Sequence, residues 1–165
     1  MSSNTPWNSP LGIAVILFLL YGAFYILIGI LTPFGSESSM GQQILIVSMQ
    51  ADESLFKGKP DKLLGQFPQL ALLRRILVRI IAGLLITAGF LIIMVTWFGL
   101  KQAQIWAITT LTIAGMGVLP YWWLSLKPYL DDHIPLTLGD LPPFMWVTAA
   151  LYVPACILGW IGVIG

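Results

Sequence analysis

The chain has 165 residues, of which 58% are hydrophobic and 9% charged, with a formal net charge of +1. Soluble domains run at about 45–50% apolar and about 25% charged, so a water-facing surface is excluded for most of this chain, and a net charge this small supplies no bulk field for nucleic acid. A single cysteine, Cys156, excludes a disulfide within the chain and any multi-cysteine metal site.

The first ten residues, MSSNTPWNSP, are polar and carry no lysine or arginine. A secretory signal begins with a basic region and has a shorter apolar core. The run that follows is of full span length, so the first segment is expected to be retained. Leu11 to Leu31 is uncharged over 21 residues, as is Ile80 to Leu100, while Gln102–Leu126 and Leu141–Gly165 are uncharged over 25 each. A helix rising about 1.5 Å per residue needs about 20 apolar residues to cross a hydrocarbon core of about 30 Å. The expected fold is therefore an all-α, integral membrane, up-and-down four-helix transmembrane bundle. It forms a single domain over residues 1–165, with spans at about 11–31, 76–100, 103–126 and 143–164.

Residues 32–71 form the only long connection, expected to lie along the membrane or bundle as an interfacial loop. Its opening, TPFGSESSMG, is rich in turn residues, ILIVSM at 44–49 is apolar, and PDKLL can start a short helix. The second span follows a helix start at Pro68, where proline suits the first turn because its missing N–H would have no partner there. Arg74, Arg75 and Arg79 stand just before the uncharged run. Their long stems can lie along apolar surface while the guanidinium groups reach lipid headgroups, which makes these three the candidate headgroup site. A DNA-reading helix would not continue into twenty-one residues of hydrocarbon-compatible sequence.

In the third span, Trp106 and the Trp122–Trp123 pair are separated by roughly 24 Å of helix, the spacing of aromatic belts at two interfaces. The connection KPYLDDHIPLTLGDLPP is short, proline-rich and acidic. Asp131, Asp132 and His133, with Asp140 nearby, are the densest group of potential ligands for a divalent metal. No His-x-x-x-His or Glu-x-x-His spacing supports such a site, and hydrated interfacial charge is the default. The fourth span carries Pro154 near its middle, tolerated where neighbouring helices satisfy the released carbonyl.

Within the four uncharged runs there is no Asp, Glu, Lys, Arg or His. Proton relays and ion sites in membranes are normally marked by such residues. His133 is the only histidine, so a bis-histidine haem within this chain is excluded, and no cofactor is expected. Tyr21 and Tyr25, four apart on the first span, can hydrogen-bond a ligand or a neighbouring helix. Thr110, Ala114 and Gly117 on the third span, and Ala155, Gly159 and Gly162 on the fourth, form small-residue stripes of the kind that allow close helix packing.

The stretch from Ala51 to Ala107, with its acidic Phe- and Gly-containing segment, arginine-marked second span and Trp106–Ala107 pair, resembles a broad group of small prokaryotic four-span membrane proteins. More distantly it is similar to DoxX-like four-helix membrane proteins. The basic turn of that pattern is reduced here to Lys101 with Gln102 and Gln104. The resemblance implies a fold and a prokaryotic cell membrane; that group has no assigned activity, so no catalytic residue carries over. Function is expected to be non-enzymatic, as an accessory or assembly subunit of a membrane complex; the alternative is a carrier or sensor of a lipid or quinone held between spans. Expected partners are the lipid bilayer and other membrane subunits or a second copy, and no nucleic acid. Seven lysines and arginines fall on the two larger connections and one on the short turn, so by the positive-inside tendency both termini are expected outside.

Overall fold

In a computed structural model, the structure describes residues 6–38, 41–44, 46–137, 139–141 and 143–165. Residues 1–5 of the polar N-terminal stretch, and Ser39, Met40 and Leu45 of the long connection, lie outside the described residues. Helix α1 spans Pro10–Glu37, α2 Met49–Phe56, α3 Pro60–Gln66, α4 Pro68–Phe98, α5 Ile105–Met116, α6 Leu119–Asp131 and α7 Pro143–Ile164, and no strand occurs among the described residues. Four helical stretches are long and apolar enough to cross a membrane: Pro10–Glu37, Pro68–Gln102, Ile105–Asp131 and Met145–Ile164.

Local chemistry fixes the helix ends. The Ser9 hydroxyl accepts the Gly12 N–H at 3.1 Å, and Pro10 occupies the first turn of α1. Helix α4 starts at Pro68, as the sequence predicts, and ends at Gly99. A short turn over residues 99–104, with Ala103 in the left-handed region at φ 55°, delivers the chain to α5. The third apolar stretch is interrupted where the sequence reading has one span. Pro120 lacks the N–H that would bond back to Met116, and its ring crowds that carbonyl. The ladder therefore stops with Gly117 N–H donating to Ile113 and restarts with Trp122 N–H donating to Val118. Helix α6 then continues to Asp131, beyond the predicted boundary at 126.

Helix α1 is the centre of the molecule, packed on one side by α4 and on another by α7. The α1–α4 contact is antiparallel and uses small residues seven apart on both helices. Gly22 faces Gly89 and Gly29 faces Ala82: a methyl group on Gly89 would lie 2.6 Å from the Gly22 carbonyl oxygen, and one on Gly29 would lie 2.8 Å from that of Ala82. Lipid is as apolar as a leucine side chain, so helices associate in a membrane through such close backbone approach and dispersion rather than through the hydrophobic effect. Helix α7 also runs antiparallel to α1, with Gly162 against Leu11 and Gly159 close to Ala14 and to Ile108 of α5. The core is built around Val15, Phe18, Leu100, Ala107, Ile108 and Ala155, all at 1% exposure or less, with Leu11, Tyr21 and Leu111 beside them.

Candidate functional site

Polar chemistry concentrates at one end of the bundle, where the two larger connections meet. Ser48 caps α2, and four residues later its first turn carries Asp52. This carboxylate is wholly buried and accepts the Tyr129 hydroxyl of α6 at 2.6 Å, the Ile46 N–H at 2.9 Å and the Val47 N–H at 3.3 Å. A buried carboxylate needs such donors, because an uncompensated charge away from water is costly. The second clasp is the Ser48 hydroxyl donating to Asp140 at 2.9 Å. Val47, Ala51 and Tyr129 form a small apolar cluster around the first clasp, with Leu126, Ile134 and Leu141 against it.

Arg74 anchors the same region from α4. Its guanidinium donates to the carbonyls of Ser36 at 3.1 Å, Gly41 at 2.7 Å and Ile44 at 2.9 Å. The Arg74 guanidinium is thus taken up by carbonyls at the end of α1 and in the connection that follows it. Arg75 and Arg79 do remain exposed and both approach Glu37 at the end of α1, at 3.6 and 3.5 Å. Beside them lies an open cleft of about 210 Å³ bounded by Ser36, Glu37, Asp61, Gly65, Arg74 and Arg75, among others.

The acidic turn does not assemble a metal site. Asp131, Asp132 and His133 are all exposed, and among the described residues no three carboxylate, imidazole or thiol groups are gathered as metal ligands. His133 takes the left-handed conformation at φ 55°, turning the chain out of α6. Asp140 faces elsewhere: it accepts the Thr137 N–H at 2.9 Å and the Thr137 hydroxyl at 2.7 Å. These donors and Ser48 stabilise the ionised form and hold its pKa below the ordinary carboxylate value.

A second group lies within the bundle. The Tyr21 hydroxyl donates to that of Tyr25 at 3.1 Å, and the Tyr21 ring lies 5.6 Å from the Tyr152 ring. Tyr152 donates to the Thr112 carbonyl at 2.6 Å, and the Trp160 indole N–H donates to the Thr112 hydroxyl at 3.1 Å. These bonds tie α5 to α7. The structure places Ala155, Gly159 and Gly162 at or near the α1 contact, but Thr110, Ala114 and Gly117 are exposed on the outer side of the third span. Helix α5 turns Ile108, Leu111 and Gly115 inward instead, because the Tyr152 ring stands where any Gly115 side chain would be.

Sequence reasoning missed Asp52, Tyr129 and Glu37. Asp52 reads as an ordinary first-turn acid favoured by the helix dipole, and Tyr129 reads as one more interfacial aromatic. Neither carries a local mark of burial. Compared with known proteins, the chain matches no family model, no curated protein and no solved structure.

Proposed function

We propose that this chain is a non-enzymatic, up-and-down four-span protein of a prokaryotic cell membrane that works as an accessory or assembly subunit, packing against another membrane protein or a second copy. One observation carries the reading: the α5–α6 face that is left open. Ile113, Met116 and Leu119 expose 58–66% of their surface, Tyr121 71% and Trp123 63%, while α6 is clasped near its end by the Tyr129–Asp52 bond. Large exposed aromatics are the side chains that dominate interface energies.

Sidedness follows from the same end-to-end division. The two larger connections, which carry seven of the eight lysines and arginines, face the cytoplasm, and both termini face out together with the turn at Lys101. Lys101 Nζ sits 3.8 Å from the centroid of the Trp97 ring and 5.7 Å from that of Trp7, an arrangement suited to an interface where cation and aromatic meet headgroups. A C-terminal reporter active only in the cytoplasm should stay silent; activity would invert the orientation.

Affinity purification in mild detergent tests the main reading. A defined second component or a dimer is expected, lost on Trp123→Arg. A monodisperse monomer without any co-purifying protein would overturn it. The alternative, a carrier of lipid or quinone, draws on the hydroxyl-bearing Tyr21–Tyr25 pair beside Tyr152. It expects a stoichiometric lipophilic molecule in native mass spectra that is reduced in Tyr25→Phe.

A further inference from the structure

The cleft between the α1 C-terminus and the start of α4 carries an unusual charge pattern for a membrane-edge pocket. Arg74, Arg75, Glu37 and Asp61 line it together with Leu64 and Ala71, and Arg75 Nε lies 3.6 Å from the Glu37 carboxylate. The opposite charges balance within the cleft. A simple anion would meet two carboxylates and a simple cation two guanidinium groups, so neither is matched. A ligand bearing both a phosphate and an ammonium meets both signs, its phosphate at Arg75 and its ammonium at Glu37 or Asp61. Guanidinium forks bind phosphate oxygens through paired, charge-assisted bonds, and a primary ammonium offers three donors to carboxylates.

Depth and size agree with this chemistry. Glu37 is the first charged residue after the uncharged run of α1 and Arg75 stands five residues before that of α4, positions at which a bilayer would place headgroups. Exposed Phe34 and Ile76 stand beside them on the same helices, as an apolar path for acyl chains. A volume of about 210 Å³ is far above the ~30 Å³ share of one water. Arg74 already donates to three carbonyls and its Nε is buried, without a hydrogen-bond partner among the described residues, so Arg75 is the guanidinium open to a phosphate. The Arg75–Glu37 pair, with both side chains more than half exposed, is weakly held and can open for a phosphate.

We propose that this cleft binds a phosphate-and-ammonium zwitterion, presented by a phosphatidylethanolamine headgroup. The proposal does not depend on a partner subunit, so lipid discrimination and complex formation can fail separately.

The test is calorimetric titration of the full chain in detergent with dihexanoyl forms of phosphatidylethanolamine, phosphatidylglycerol and phosphatidylcholine, and with free phosphoethanolamine. The ethanolamine lipid is expected to bind at least fivefold more tightly than the other two lipids, since the quaternary ammonium of choline cannot donate to Glu37 or Asp61. Asp61→Asn should weaken ethanolamine lipid about tenfold and leave glycerol lipid unchanged or tighter, whereas Arg75→Gln should weaken both. Both positions are exposed, and unchanged melting temperatures without lipid will show that the variants fold. Weaker binding of free phosphoethanolamine assigns the site to lipid; equal binding assigns the same zwitterion pocket to a soluble ligand. Glycerol lipid binding as tightly as ethanolamine lipid, or Asp61→Asn without effect, would overturn the proposal.

Discussion

Along the α1–α4 seam, Gly22 and Gly29 meet Gly89 and Ala82 at distances that leave no room for a side chain on any of the three glycines, whereas Thr110, Ala114 and Gly117 on the third span look outward. Both sets consist of small residues at helical spacing, and both stand in helices of span length. The difference is reciprocity. On α1 and α4 the small residues recur at the same seven-residue interval on two antiparallel partners, so each backbone approaches a gap in the other. The third-span set has no such counterpart in this chain, and its neighbour α7 is approached through Gly115, where the Tyr152 ring fills the space. A stripe of small residues permits close packing; the surface that faces it decides whether it occurs.

The strongest way to break this distinction is to fill the seam. Gly89→Leu places its first carbon 2.6 Å from the Gly22 carbonyl and 2.7 Å from Ile26, and backbone cannot swing aside as a flexible side chain can. Overpacking of this kind costs about 3 kcal/mol or more at the upper end of its range. A large fall in the thermal midpoint in detergent is expected, and a midpoint close to the parent's would show that α4 is free to slide on α1.

Removing the clasp asks whether the seam alone holds the connections in place. Tyr129→Phe deletes the hydroxyl that donates to buried Asp52 and leaves that carboxylate short of a donor, at a cost of about 1–3 kcal/mol. Faster proteolysis around residues 46–56 should accompany it, with the α1–α4 seam intact. Unchanged protease sensitivity would mean that the Ile46 and Val47 N–H groups suffice.

A smaller, pH-dependent effect is expected at Asp140. Folding lowers its pKa through the Thr137 and Ser48 donors, so its contribution is fully present above the ordinary carboxylate pKa near about 4 and is lost as pH falls through the lower folded value. The difference in thermal midpoint between the parent chain and Asp140→Asn should therefore be constant near neutrality and shrink on acidification below that point. A difference that stays constant into strong acid would exclude ionisation as its source.

The smallest effect sharpens the comparison. Gly117→Leu lies on the open face and should change stability by no more than about 0.5 kcal/mol, as surface positions do. A cost equal to that of Gly89→Leu, measured in the same detergent, would mean that the third-span stripe is covered by another helix in the particle being studied.

The four uncharged runs were legible because charge in hydrocarbon is costly whatever the neighbouring helices do; no tertiary knowledge is needed to place them. The same holds for the starts of α1, α3 and α4, where proline meets a local geometric requirement at Pro10, Pro60 and Pro68. The interruption after Gly117 had a local cause in Pro120, but the unbroken apolar composition around it concealed the break.

The candidate site was legible only in its arginines. That Arg74 turns to Ser36, Gly41 and Ile44 while Arg75 and Arg79 approach Glu37 depends on how the end of α1 and the chain after it, thirty or more residues away, lie against α4. Asp52 and Tyr129 lie 77 residues apart, and neither residue type requires the other. Length, charge placement and proline position act within one helix, so the sequence by itself determined the spans and most of their beginnings. Which faces meet, which polar groups are buried together and which arginine is left for a ligand were decided only by the tertiary structure, because each depends on register between segments that have no local energetic reason to pair.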